Sequence, residues 1–243
     1  MDKLSGRRIL ITRAEEDCES WADQLRLLSA VPIIFPCIEC EPIISKTILG
    51  KLEQEVPCAH WLVFTSRRGV NAFAALYERP LPEKLKIAVV GPTTAQTAGE
   101  KLGRVDFISE ESTAISLGRE LGKKIKSPCR LIIALAENAG KTLESELNSV
   151  GKECVRLDLY RTIPKKNQGR RRIISSLGAD SIFLASPSAV TGLTNQVELD
   201  TTPNVFTIGP STTASVLAAG LAVAGEAKQS NLQGLLEAFS CAN

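Results

Sequence analysis

Trp61-Leu62-Val63-Phe64-Thr65-Ser66-Arg67-Arg68-Gly69-Val70 and Ser181-Ile182-Phe183-Leu184-Ala185-Ser186-Pro187-Ser188-Ala189-Val190 share one pattern. Each is an apolar run that ends in small hydroxyl residues and passes into an Ala/Val-rich helical spacing. The likeness continues downstream. Ile87-Ala88-Val89-Val90-Gly91-Pro92-Thr93-Thr94-Ala95 corresponds to Val205-Phe206-Thr207-Ile208-Gly209-Pro210-Ser211-Thr212-Thr213-Ala214, and Ser112–Leu121 aligns without a gap with Ser230–Phe239. A long internal repeat predicts two similar domains. Two matching sets of Ser/Thr-rich strand ends further predict that one ligand is held between them.

The 243 residues suffice for one large domain or two of ordinary size, and 44% hydrophobic content supports a buried core. A net charge of +2 and 5% aromatics argue against a nucleic-acid surface or a stacking platform for single strands. No apolar stretch approaches the ~20 residues needed to cross a bilayer. Only Ile9–Ile11 follow Arg7-Arg8 before Thr12 and Arg13, too short a run for an export signal. A cytoplasmic protein without nucleic-acid or membrane partners is expected.

The cysteines do not frame a metal or disulfide site. Cys37 and Cys40 make one Cys-x-x-Cys, while Cys18, Cys58, Cys129, Cys154 and Cys241 supply no second pair. The single histidine, His60, has no partner at zinc-finger spacing. Reduced, buried thiols and no metal are expected.

Strands and helices alternate. Strands are read at residues 9–12, 33–38 (with Pro42 closing that segment), 61–65, 87–90, 105–108, 131–135 and 155–160. Helices are read at 15–29, 44–54, 69–77, 94–102, 114–125 and 141–150, and a second βαβα series runs from Ile182 to Phe239. The basic stretch from Lys165 to Arg172, after Pro164, reads as a solvated linker. Alternation of this kind implies parallel sheets covered on both faces, with ligands beyond the carboxyl ends of the strands. Those ends are Thr12-Arg13, Thr65-Ser66, Gly91-Pro92-Thr93, Ser186-Pro187-Ser188 and Gly209-Pro210-Ser211. Any one of them is a natural helix N-cap. Five at equivalent positions, each opening a helix with free N–H groups, point to an anionic ligand.

Several signatures are absent. There is no G-x-G-x-x-G after a strand, no Walker A loop and no G-x-S-x-G elbow, and spacing shows no acidic pair set for acid–base work. No cofactor is expected, and the chemistry must be of a kind that positioning largely supplies.

Ile-Thr-Arg after the first strand, Phe-Thr-Ser-x-x-Gly-Val, Val-Gly-x-x-Thr-Ala, Leu-Tyr-Arg-Thr, Ser-Pro-Ser-x-Val and Ile-Gly-Pro-Ser-Thr follow one another in this order. In that order and spacing the chain resembles the uroporphyrinogen-III synthase family over almost its whole length. The resemblance implies two flavodoxin-like α/β domains joined by a two-stranded linker. Residues 1–36 and 167–243 would form one discontinuous domain and 42–156 the inserted one, with 37–41 and 157–166 as linker strands. It implies an enzyme, a cyclising hydro-lyase of tetrapyrrole biosynthesis. Such an enzyme closes hydroxymethylbilane to uroporphyrinogen III with loss of water and inversion of the last pyrrole ring. The substrate would lie in the interdomain cleft, no cofactor would be needed, and a monomer would receive its substrate from the preceding pathway enzyme. A mobile hinge at the two crossings is expected with it.

Residue by residue, the resemblance gives Tyr160 the role of the acid that helps the hydroxyl leave. A phenol titrates near ~10, which suits donation at neutral pH. Ser66, Arg68, Thr94, Ser186 and Thr212 match positions that line the cleft, beside Thr12, Arg13, Thr65, Ser188 and Ser211 from the strand-end reading. Lys141 stands where many relatives carry arginine, which keeps the charge without the bidentate fork. Ala185 stands for a threonine before Ser-Pro-Ser, and Ala30-Val31 for a glycine-containing turn. Two rival readings share the architecture. A non-catalytic clamp closing on a small anion belongs to a class usually exported, and paired receiver domains would need acidic strand ends.

Overall fold

A computed structural model describes residues 3–126, 128–167 and 169–242. Along the chain, β1 (Arg8–Ile11), α1 (Glu15–Leu27), β2 (Val31–Ile34), β3 (Ile38–Pro42) and α2 (Lys46–Glu55) come first. They are followed by β4 (Trp61–Phe64), α3 (Arg67–Leu76), β5 (Lys86–Val89), α4 (Pro92–Leu102), β6 (Phe107–Ile108) and α5 (Ala114–Lys124). Next are β7 (Leu131–Ala136), α6 (Thr142–Ser149), β8 (Cys154–Pro164), β9 (Arg172–Ile173), β10 (Ser181–Leu184) and α7 (Pro187–Gln196). The chain closes with β11 (Val197–Glu198), β12 (Asn204–Thr207), α8 (Pro210–Ala218), β13 (Gly225–Glu226) and α9 (Leu232–Ala242). No helix among the described residues is long and apolar enough to cross a membrane.

Two compact units result: Met1–Glu39 with Thr162–Asn243, and Cys40–Arg161. The chain passes between them inside β3 and again inside β8, so the basic stretch 165–172 belongs to the first unit. Two sequence expectations need correction. The apolar run 33–38 is not one strand: β2 stops at Ile34, and the chain re-enters a strand, β3, only at Ile38 beyond Pro36. Proline lacks the N–H a ladder needs and restricts the residue before it, which breaks the run. The strand expected at 155–160 is in fact one 11-residue strand from Cys154 to Pro164.

In the first unit β13-β12-β10-β1-β2 form a sheet in which all neighbouring strands run parallel. Its faces alternate residue by residue. Ile9, Ile11, Phe183 and Phe206 turn to the side of α1 and α9, where Trp21, Leu25, Leu235 and Phe239 meet them. Leu10, Ile182, Leu184 and Val205 turn to the side of α7 and α8 and pack with Val190, Leu193 and Val216. Period-2 alternation between two buried faces is what a doubly wound sheet requires.

The second unit repeats this plan. Its order is β3-β8-β7-β4-β5-β6, with β4 through β8 parallel. Leu62, Phe64, Ile87, Val89, Ile132 and Ala134 pack with α2, α3 and α4; Trp61, Val63, Ala88 and Ile133 pack with α5 and α6. The registers also coincide. Leu62 pairs with Ile132 and Ile87, and Ile182 pairs with Leu10 and Val205. Thus β4, β5, β6, β7 and β8 stand for β10, β12, β13, β1 and β2, and both sheets show the spatial order 2-1-3-4-5 of flavodoxin-like folds.

All seven cysteines are unpaired. Cys18 and Cys37 are buried as expected, but Cys58 and Cys241 are exposed, because they sit on a single helical turn and in the last turn of α9 rather than on core strands. His60 is structural: its Nδ1 accepts the Arg130 N–H at 3.1 Å.

Candidate functional site

In the second unit the carboxyl ends of β4, β7 and β8 lie side by side. Ser66 follows β4 and is the N-cap of α3, its Oγ accepting the Gly69 N–H at 3.1 Å. Tyr160 lies on β8, only 7% exposed, within the cluster that holds Phe64, Val70, Phe73 and Ala134. Its hydroxyl meets Ser66 Oγ at 2.9 Å. Strands β4 and β8 are separated by β7, a span of roughly 9.5 Å at two inter-strand spacings. A long, rigid side chain is needed to bridge it, and the intervening β7 must carry small residues. Ala134 and Ala136 supply them. Gly69 serves the same crowding: a Cβ there would stand 3.0 Å from the Ala134 carbonyl oxygen. The backbone fixes Tyr160 as well, since Glu137 N–H donates to its carbonyl at 2.8 Å.

The chemistry of this pair follows from counting protons. Two hydroxyls carry two protons, and their mutual hydrogen bond uses one of them. Ser66 Oγ also accepts a helix N-terminal N–H, which favours placing negative charge on the pair. The arrangement suits donation of a proton to an oxygen that leaves.

Around the pair, Thr65 and Arg68 are half-buried at the end of β4 and the first turn of α3. Thr94, in the first turn of α4, is 5% exposed. Lys141 is exposed at the N-cap of α6 and makes no capping bond. Sequence reasoning missed Arg156. Its Nε donates to Asp158 Oδ1 at 2.7 Å and its Nη1 to Glu144 Oε2 at 3.0 Å, while Nη2 donates to the Ala136 and Ala139 carbonyls at 3.2 and 2.9 Å. This fork ties down the turn that leads to Lys141. The one available signal was an arginine in the middle of a predicted strand.

In the first unit the equivalent edge is built from Thr12-Arg13, Ser186-Pro187-Ser188 and Ser211-Thr212. Ser186 caps α7 as Ser66 caps α3, accepting the Ala189 N–H at 3.1 Å. Ser188 is half-buried and Ser211 exposed. Two members of the expected set face inward instead. Thr12 is 0% exposed and its hydroxyl donates to the Phe183 carbonyl at 2.8 Å, which locks β1 to β10. Thr212 is 2% exposed on the inner side of α8, the counterpart of Thr94 on α4. Both lie on the third helical residue, which turns toward the sheet. Arg13 pairs with Asp17 at 3.3 Å and lies over Trp21 at 4.7 Å.

The helix starts differ in what they can receive. α1 opens with Glu15, Glu16 and Asp17, which neutralise its positive end. α3, α4, α7 and α8 have no acidic residue in the first turn, and the last three begin with proline at the position where a missing N–H costs nothing. Four of the five strand-end helices therefore favour an anion. Of the five expected N-caps, Ser66 and Ser186 cap by side chain, whereas at Gly91, Gly209 and Ala14 the cap residue has no side-chain oxygen to offer.

Comparison with known proteins bears on this geometry. The family model for uroporphyrinogen-III synthase HemD matches residues 19–237. A protein of Methanocaldococcus jannaschii is 32% identical over 146 residues, 58% of each chain. The uroporphyrinogen-III synthase of Synechococcus elongatus is 30% identical over 162 residues, 65% of this chain and 61% of that one. The chain thus spans about six-tenths of the length of these curated relatives. The crystal structure of uroporphyrinogen-III synthetase from Helicobacter pylori covers 98% of this chain and 100% of its own, with a TM-score of 0.56 at 14% identity, a likeness of fold.

Proposed function

This chain belongs to the uroporphyrinogen-III synthase family, and on that footing we propose that it closes hydroxymethylbilane to uroporphyrinogen III, losing water and inverting the last pyrrole ring. The observation that carries the reading is the Ser66–Tyr160 hydrogen bond at a helix N-terminus. The substrate's terminal hydroxymethyl group must lose its hydroxyl. The pyrrole nitrogen stabilises the cation left behind, so a weak, well-placed acid suffices. Tyr160 donates its proton to the departing oxygen, and Ser66 holds the phenol and supports the charge that develops on it. The helix starts of α3, α4, α7 and α8 receive acetate and propionate carboxylates, with Thr65, Arg68, Lys141, Ser186, Ser188 and Ser211 beside them. In this reading the enzyme is a hydro-lyase.

We also take residues 1–36 with 167–243 and residues 42–156 as the functional domains. The division of the chain at Glu39/Cys40 and Arg161/Thr162 supports this. Product analysis with hydroxymethylbilane tests the reaction. Spontaneous closure gives the uninverted isomer, so isomer III formed in proportion to protein is the expected result. Uninverted product alone at every protein concentration refutes the activity and leaves a non-catalytic clamp.

A further inference from the structure

Lys165, Arg170 and Arg172 gather with Asn167 and Gln196 around a cavity of about 330 Å³ in the first unit, at the carboxyl end of β2. We propose that this cavity is an anion subsite that takes the acetate and propionate arms of one pyrrole ring of the substrate, a proposal that rests on the reaction proposed above. Five arginines elsewhere meet carboxylates: Arg26, Arg79, Arg119, Arg130 and Arg161 lie 2.5–2.8 Å from theirs. Among the described residues no carboxylate pairs with Lys165, Arg170 or Arg172. Three neighbouring cations without a counter-charge repel one another. Their arrangement around one cavity becomes favourable when an anion of charge near two enters.

The wall of this cavity is built, not merely charged. Gln196 Nε2 donates to the Pro36 carbonyl at 3.1 Å and to Gly192 at 2.9 Å, and Asn195 Nδ2 donates to the Lys165 carbonyl at 3.2 Å. Lys165 N–H donates to the Cys37 carbonyl at 2.8 Å. At Gly192 a Cβ would stand 1.6 Å from that same Cys37 oxygen, so α7 packs directly on the turn and only glycine fits there. The Arg172 guanidinium lies over the Phe35 ring at 5.8 Å, which orients its planar fork. The volume is at the small end of ligand sites and suits two carboxylate arms, not a tetrapyrrole. Its place beyond a strand's carboxyl end is where parallel sheets of this kind hold ligands.

The test compares wild type with Arg170→Ala/Arg172→Ala and with Arg26→Ala, a control whose guanidinium pairs on the surface of α1. Each hydrogen bond to a charged group contributes roughly tenfold or more in affinity. The double variant is expected to raise KM for hydroxymethylbilane by roughly 30-fold or more with kcat within twofold, the mark of binding energy equal in ground and transition states. Arg170→Lys/Arg172→Lys should recover part of the loss, and Arg26→Ala should change nothing. An unchanged KM in the double variant, while wild type makes isomer III, overturns the subsite and leaves the reaction standing. If wild type makes no isomer III, the reaction fails and the cavity is read separately by calorimetry with succinate and inorganic phosphate. Succinate binding that disappears in the double variant then supports a carboxylate site. Phosphate binding alone, or equal heats in both proteins, overturns it.

Discussion

Replacing Tyr160 by phenylalanine removes one oxygen and leaves the ring in place. The ring is 7% exposed and packed in its cluster, so the apolar area it buries is unchanged. The substitution removes the 2.9 Å hydrogen bond to Ser66, whose Oγ keeps the Gly69 N–H at 3.1 Å in a half-buried residue that water can reach. Net hydrogen bonds of this kind contribute about 1 kcal/mol. The melting temperature should therefore fall by only ~3 °C. Catalysis should suffer more. A general acid contributes 10²-fold or more, and because the substrate readily loses water, a drop near the low end, roughly 10²-fold, is expected in single-turnover formation of isomer III. The uninverted fraction should rise in step, since spontaneous closure then competes.

Ser66→Ala sharpens the test, because it removes the cap and the partner of Tyr160 together. The cap alone is worth about 1 kcal/mol of stability. If Ser66 works through the phenol, Ser66→Ala lowers the rate roughly tenfold in wild type but adds less than about threefold on top of Tyr160→Phe. Ser66→Thr, which keeps a capping oxygen and a hydroxyl proton, should restore most of the rate. Equal factors in both backgrounds would detach Ser66 from Tyr160. Isomer III formed at the wild-type rate by Tyr160→Phe would refute the acid role altogether and make the tyrosine a core residue.

Alkaline stability and autonomy of the units are open to measurement as well. Burial pushes the Cys18 and Cys154 thiols up to about 11 from the ordinary 9.0, with Arg13 opposing the shift at Cys18. The unfolded chain loses these protons first, so their contribution is intact below pH 9, declines between pH 9 and 11, and is level above; for Cys18 it amounts to at most about 3 kcal/mol. Urea midpoints should fall across that interval, and Cys18→Ala should flatten part of the fall; an unaltered pH slope in the variant refutes the assignment. Residues 40–161 expressed alone should unfold in one cooperative transition, because both faces of their sheet are closed by their own side chains. Residues 162–243 alone should not fold, since they lack β1, the strand that β10 and β2 both pair with. A molten 40–161 fragment would overturn this.

Punctuation made much of the fold legible. Ser66 and Ser186 cap the helices they were expected to open, and Gly-Pro at 91–92 and 209–210 marks the starts of α4 and α8. These signals are local, written in residues that cannot sit elsewhere without loss. What stayed hidden depends on neighbours distant in sequence. Thr12 reads as a free strand-end hydroxyl until β10 lies beside it and Phe183 offers a carbonyl. Residues 33–38 read as one strand because apolarity records burial, not departure from a sheet. The basic residues after Pro164 read as a solvated linker, since nothing in their own spacing reveals that Gln196 and Phe35 close a cavity beneath them.

Which half of the repeat pairs with which is left open by spacing alone and is implied only by the family resemblance. Numbered by their place in the sheet, the strands β1, β2, β4, β5, β6, β7, β8, β10, β12 and β13 run 1-2-3-4-5-1-2-3-4-5 along the chain. The sequence is thus a plain tandem repeat with an offset of about 120 residues. A repeat folded on itself would place its own five strands in one sheet. Here strands 1 and 2 of the first copy pair with 3, 4 and 5 of the second, and the remaining five form the other sheet with β3 added at its edge. The exchange sacrifices no pairing, because Ile182 meets Leu10 in the same register in which Leu62 meets Ile132. It does decide which cap meets a phenol. Ser66 comes from the first copy and Tyr160 from the second. In an unexchanged fold Ser66 would face the first copy's strand 2 and its continuation, where Phe35, Cys37 and Ile38 offer no phenol. Ser186 is in that situation now: it caps Ala189 as Ser66 caps Gly69, yet only Ser66 has a tyrosine bonded to its hydroxyl among the described residues. Two equivalent caps and one phenol bonded to a cap are what the exchange produces, so under the proposed reaction the acid belongs to the second unit alone.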